Sequence, residues 1–276
     1  MCMKTIFTAL IIFSLNALAQ EHWQVKEEYR FSMWNSFFRT QGVTSDQQGH
    51  FWFSSWDSII EANSKTGSAV KGNVFAIPIP LLEKGCDHIG DISYANGKIF
   101  APIEDGQHYL HPHIGVFDAN TLRAEKTFEL PLAQQIDGVP WVAASGERHL
   151  VFSAEYSNMA RVNVYDMDSM LPLGDIVPSQ VLHSVQGGKY HDGFLYLTAN
   201  SPVGKRFSIY KVNLDSGEVT EVGQLPPNLS EVEGLSFTLE NGVQKIVVLG
   251  IVPFKDGASG IEGKLKRMAL FTFAQN

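Results

Sequence analysis

The chain has almost no cysteine. Of its 276 residues only Cys2 and Cys86 are cysteines, and Cys2 lies in the first nineteen positions, which read as a removable leader. A chain left with Cys86 alone has no internal disulfide, so its stability must come from a packed core. A small buried hydrophobe is the expected role of that thiol. Long apolar runs are also missing after residue 19, and none approaches the ~20 residues that span a bilayer. Basic residues are in deficit, with 21 Lys and Arg against 29 Asp and Glu and a net charge of −8. Removing Lys4 with the leader takes the balance close to −9. That sign excludes a nucleic-acid footprint and an anionic membrane surface as partners. No GxxxxGK[ST] loop, GxSxG elbow or HExxH pair occurs. "GASGIEG" at 257–263 resembles a nucleophile turn but lacks the strand-to-helix context that such a turn needs. Long helical stretches of the kind an α/β fold requires are absent too.

What is present begins with the leader. Met1 to Ala19 carries one positive charge at Lys4, an apolar stretch from Ile6 to Leu18, and Ala17-Leu18-Ala19 as a small-x-small cleavage site. This pattern predicts a secretory signal peptide over 1–19, cleavage after Ala19, and a periplasmic or extracellular mature chain from Gln20. Without a cysteine after the site, no lipid anchor is expected. Residues 20–276 are expected to form one domain.

That domain repeats. "QGVTSDQQGHFWFSS" begins at Gln41, "GDISYANGKIFAPIE" at Gly90, "PWVAASGERHLVFSAE" at Pro140, "QGGKYHDGFLYLTAN" at Gln186 and "EGLSFTLENGVQKIVVLG" at Glu233, at intervals of 49, 50, 46 and 47 residues. Each reads as a strand, a turn rich in Gly, Asn or Asp, and a second strand of alternating apolar residues. A second marker, "NSKTG" (63–67), "DANTL" (118–122), "DMDSM" (166–170) and "NLDSG" (213–217), places a short polar residue three before Ser or Thr at a hairpin. The first Asp pair of "DMDSM" lacks the other ligands of a calcium loop, so a structural turn is expected there. Four strands every 40 to 50 residues predict an all-β chain forming a single β-propeller. Five four-stranded blades are expected, with six as the alternative. The last unit lacks its fourth strand, and Trp23 to Phe31 is expected to supply it and close the ring, which also hides free edges.

The (Asn/Asp)-x-x-(Ser/Thr) hairpins and the "GHFWFSS" second strand resemble the secreted repeat propellers of the broad NHL-type, YVTN-type and gluconolactonase-like class. The resemblance spans nearly all of the mature chain and speaks to fold. It implies that residues before each first strand and after each second strand converge on one ligand-binding mouth. The first group is Gln41, His88 with Asp91, Trp141, Gln186, and Glu231 with Glu233. The second is Ser55, Asp57, Glu104, Asp105, Glu155 and Asn200. Gln41 and Gln186 either bond neighbouring backbone or hold a ligand, and Trp141 is either a core plug or a stacking surface. His108, His111 and His113 crowd "EDGQHYLHPH" but match no metal-ligand spacing; with His88 they leave a transition-metal site as the alternative to a solvated loop.

Carboxylates crowded in a funnel push one another's pKa values apart, so Glu104, Glu155, Asp91 and Glu233 are the candidate catalytic residues. Gln41, His88, Trp141, Gln186 and Asn200 are the candidate ligand-binding ones. The oxygens of Glu104, Glu155, Asn200 and Glu233 suit Ca²⁺. Gluconolactonase-like propellers use a similar Glu/Asn/Asp set, without residue-by-residue correspondence. Two function classes follow. One is a hydrolase or lyase-type enzyme, with or without a metal, on a lactone, ester or carbohydrate-like substrate. The other is a non-catalytic propeller binding a ligand or a protein. The expected assembly is a monomer.

Overall fold

The computed structural model describes residues 21–200, 206–255 and 265–275. The leader over 1–19 and the "GASGIEG" turn lie outside these residues. β1 (Trp23–Arg30) is followed by the short α1 (Met33–Phe37), whose first turn is capped by the Ser32 hydroxyl on the Asn35 amide. The first antiparallel sheet is β2 (Gly42–Ser45), β3 (Phe51–Ser54), β4 (Ile59–Ala62) and β5 (Ala69–Asn73). After α2 (Ile79–Leu82) comes a sheet whose inner strand is split into β6 (His88–Ile89) and β7 (Ser93–Ala95). Both pair with β8 (Lys98–Glu104), then β9 (His113–Asp118) and β10 (Ala124–Glu129). The third is β11 (Val142–Ser145), β12 (Leu150–Ser153), β14 (Val162–Asp166) and β15 (Pro172–Ile176), while the two-residue β13 (Asn158–Met159) crosses to the next sheet. The fourth is β16 (Leu182–His191), β17 (Phe194–Asn200), β18 (Phe207–Asn213) and β19 (Val219–Gln224). The last holds β20 (Glu231–Glu240), β21 (Val243–Pro253) and β22 (Lys266–Gln275).

β1 completes that last sheet, pairing antiparallel with β22 from Trp23↔Gln275 to Arg30↔Ala269. It also touches β19 through Trp23↔Gly223, which fuses the fourth and last units into one curled nine-stranded sheet. The architecture is all-β and propeller-like. Inner strands of successive units pack together in the order β2, β7, β11, β16, β20 and back to β2. Apolar cores fill the junctions between units: Trp52, Ile89 and Phe117 at one, and Phe31, Phe53, Val247 and Leu270 between the last unit and the first.

Second strands are buried on both faces, so β3 and β12 run as apolar stretches rather than the alternation expected from the sequence. The outer strands β5, β10 and β15 are exposed along most of their length. The hairpin markers act as their chemistry suggests. Asp118 Oδ1 accepts from the amide and hydroxyl of Thr121, Asp166 Oδ1 from those of Ser169, and Asn213 Oδ1 from the Ser216 amide. Cys86 is buried and free, with burial pushing its thiol up to about 11. No helix among the described residues is long and apolar enough to cross a membrane.

Candidate functional site

A cavity of about 380 Å³ opens where the units converge, and Gln41, His88, Glu104, Gln186 and Glu233 all line it. His88 opens β6 and Glu104 ends β8, and the two face each other as cross-strand partners. Their side chains meet at 3.1 Å, His88 Nδ1 to Glu104 Oε1. The other Glu104 oxygen accepts the Val139 amide, so the loop before β11 holds the carboxyl from behind. Gln41 Oε1 lies 2.9 Å from His88 Nε2. A neutral ring protonated at Nδ1 fits when that amide turns its NH₂ inward, the two ends of an amide having the same shape.

Gln186 repeats the theme. Its Nε2 donates to Glu231 Oε1 at 3.1 Å. Each Gln-Gly glutamine therefore reaches across to the first mouth residue of the next unit, Gln41 to His88 and Gln186 to Glu231. The glycines behind them are there for contact. A Cβ on Gly42 would sit 2.6 Å from the Asp91 Cα, and one on Gly187 2.7 Å from the Glu233 carbonyl oxygen.

Glu233 is the most perturbed carboxyl in the cavity. Burial, then Glu231 and Asp91, raise its pKa well above the ordinary value. Among the described residues nothing hydrogen-bonds its carboxyl, which lines the hollow.

Asp91 does a different job from the one the sequence suggested. It is fully buried, accepts from the Val43 and Gly188 amides at 3.1 Å each, and meets Lys189 Nζ at 3.0 Å. Lys189 also donates to the Ile92 and Gly188 carbonyls. Asp91 thus pins the first, second and fourth units together beneath the cavity without lining it. Burial pushes Asp91 up to about 6 and Lys189 down, each opposed by its partner. Arg39, near the mouth in sequence, is also interior. Its guanidinium lies 4.9 and 4.8 Å from the Phe31 and Phe53 ring centres and donates to the Asn35 and Gly67 carbonyls.

Three further candidates are not brought in. Trp141 is 0% exposed in the core against Gly188, which resolves it as a plug with no face to stack on a ligand. Glu155 turns away to accept the Ile136 amide at 2.8 Å, and Asn200 ends β17 outside the cavity wall. The four residues suited to calcium are therefore split, Glu104 and Glu233 inside and Glu155 and Asn200 outside. Among the described residues no three His, Cys, Asp or Glu groups are arranged to hold a metal ion. That includes His108, His111 and His113; His113 is buried and its Nδ1 bonds the His111 carbonyl at 2.8 Å. Asp105 works locally, its carboxylate accepting the His108, Leu110 and His111 amides and so shaping their loop.

Trp56, Tyr109, Asp137 and Tyr156 also line the cavity, and the sequence reading passed over them. Two were missed by one position. Ser55 and Asp57 flank Trp56, and Glu155 precedes Tyr156; a single step along an extended chain reverses the side chain. Tyr109 is delivered by backbone at φ 56°, an uncommon conformation for a bulky side chain, fixed by the Asp105 bonds around it. Gly138 gives it room. It has φ +80°, and a Cβ there would lie 2.6 Å from Glu104 Oε2 and 2.9 Å from the Tyr109 ring.

No protein-family model and no curated protein sequence matches the chain. Among solved structures, a Kuenenia stuttgartiensis hydrazine synthase chain is similar over 90% of this chain and 67% of its own, with 11% identity and TM-score 0.48. A chain of a mitotic checkpoint complex is similar over 84% and 60%, with 10% identity and TM-score 0.41. The computationally designed Ika4 protein is similar over 66% and 96%, with 11% identity and TM-score 0.38. Likenesses this distant carry no information about chemistry.

Proposed function

We propose that the mature chain is a secreted five-bladed β-propeller, closed by β1, whose mouth cavity performs acid–base chemistry on a small oxygenated substrate. The substrate class is a lactone, ester or carbohydrate-like molecule, and the reaction hydrolysis or elimination. The observation that carries this reading is one cavity lined by both the His88–Glu104 pair and Glu233, whose burial raises its pKa. Glu104 holds the Nδ1 proton of His88, leaving Nε2 to take a proton from water or substrate in the place now held by the Gln41 amide. Glu233 gives its proton to the departing oxygen. Paired groups with opposed proton affinities are how one site runs acid and base steps at a single pH.

The reading needs no cation. Four carboxyl groups line the cavity, and two like charges ~4 Å apart cost about 4 kcal/mol at an effective dielectric of 20. Here each carboxyl has its own relief. Glu104 accepts from His88 and the Val139 amide, Asp137 from the Ser157 amide and Glu231 from Gln186, while burial shifts Glu233 toward its neutral form. The calcium alternative predicts that a chelator lowers both melting temperature and turnover.

The test is a panel of δ-lactones, p-nitrophenyl esters and p-nitrophenyl glycosides with the mature chain, His88→Ala and Glu233→Gln. Turnover lost by at least a hundredfold in both variants, with unchanged chelator response, is expected. Turnover that survives both substitutions defeats the assignment. A binding propeller is the second reading, favoured by the aromatic walls Trp56, Tyr109 and Tyr156. It gains if calorimetry finds sugar binding with no turnover of any substrate.

A further inference from the structure

A second hollow shares a wall with the first. It is a groove of about 500 Å³ whose apolar sides are Phe37, Trp56, Ile77 and Leu82. Trp56 belongs to both hollows. Its ring stands edge-on to His88, with centres 5.6 Å apart at 74°, and it also walls the groove. We propose that the groove binds the uncharged apolar arm of a substrate whose polar end occupies the mouth cavity. This rests on the mouth being the reacting site.

The groove offers little to a polar ligand. The Ser55 hydroxyl donates to the Phe37 carbonyl at 2.9 Å and lies 2.9 Å from the Thr40 hydroxyl, so both are engaged within the wall. Asp87, at the other end, accepts the Gly106 amide at 2.9 Å. Asp57 and Asp87 are the charged groups on the lining, and both repel an anionic tail. An alkyl or aryl arm without charge is what remains. Three of the four apolar side chains are open to it: Phe37 is 69%, Trp56 57% and Leu82 48% exposed. Contiguous exposed aromatics beside a cavity mark a contact surface more often than ordinary protein exterior. The polar cavity and apolar groove meeting at Trp56 match an amphiphile: head against His88 and Glu233, arm along Leu82 and Phe37.

Calorimetry with n-alkyl β-D-glucosides from methyl to octyl tests the arm, each below its micelle concentration. Affinity is expected to rise about fourfold per methylene, the ratio equivalent to ~0.8 kcal/mol per buried CH₂. Leu82→Asp and Phe37→Ser alter exposed residues, so folding should be preserved. Both should flatten the chain-length slope and leave methyl glucoside binding unchanged. Turnover of p-nitrophenyl acetate, run in parallel, separates the two ideas. Chain-length dependence without turnover of any ester keeps the groove and removes the chemistry. Turnover with a flat chain-length series overturns the groove alone. A flat series in a chain that elutes as a dimer, and as a monomer after Leu82→Asp, also overturns it and makes the groove a self-association surface.

Discussion

A carboxyl group buried beside two others has a measurable signature in solution. Burial and its acidic neighbours raise Glu233 above its ordinary 4.5, so the folded chain holds this proton more tightly than the unfolded chain. The stability it contributes is complete below 4.5 and is lost as pH rises through the folded value. Asp91 has the same sign, pushed up to about 6. Melting curves of the wild type and of Glu233→Gln, run upward from pH 4.5, isolate Glu233 because Asp91 is common to both. The wild type should lose stability with rising pH more steeply than Glu233→Gln, and parallel curves would contradict the assignment. Below the cavity, Asp91→Asn leaves Lys189 buried without its counter-charge, which should cost roughly 3 to 5 kcal/mol. Adding Lys189→Met should recover part of that loss, and additive losses in denaturant titrations would show that the pair is not coupled. At Gly138, an Ala Cβ must displace Glu104 or Tyr109 against an already left-handed backbone. That change should cost about 1 to 3 kcal/mol and reduce turnover, read by melting and by kinetics on one substrate.

At the level of strands, the latch is β1. Trp23 is buried in the junction core, packs edge-on to Phe237 at 6.3 Å, and donates from Nε1 to Glu21 at 2.6 Å. The same Glu21 accepts from Tyr196 at 2.8 Å and pairs with Lys211 on β18. One N-terminal carboxylate thus fastens β1 to the fourth unit while hydrogen bonds fasten it to the last. Trp23→Ala should cost roughly 3 to 5 kcal/mol in urea unfolding. A loss under about 1 kcal/mol would mean that β1 contributes little to the fold. The last unit's missing strand could be seen from the sequence, because a count of strands per repeat exposes a deficit at one end and a surplus at the other. The split of the second unit's inner strand into β6 and β7 could not. It follows from Asp91, whose bonds lie in other units far along the chain, and no local pattern records that demand.

Across the whole molecule, the period and the hairpin markers made the repeat legible because each unit solves the same local problem with the same short polar residues. Site residues on the strands themselves, His88, Glu104, Gln186 and Glu233, were legible for the same reason: strand position fixes their direction. Apart from Gln41, those on the connections were not. Glu155 and Trp56 depend on how each loop leaves its strand, Asn200 ends its strand outside the wall, and Trp141 depends on the close approach of Gly188 from another unit. Asp91 and Lys189, together with the close contacts at Gly42, Gly187 and Gly234, fill space between the inner strands of the first, second, fourth and last units. If the proposed chemistry holds, product and substrate occupy the same His88–Glu233 hollow, so inhibition by product should be competitive.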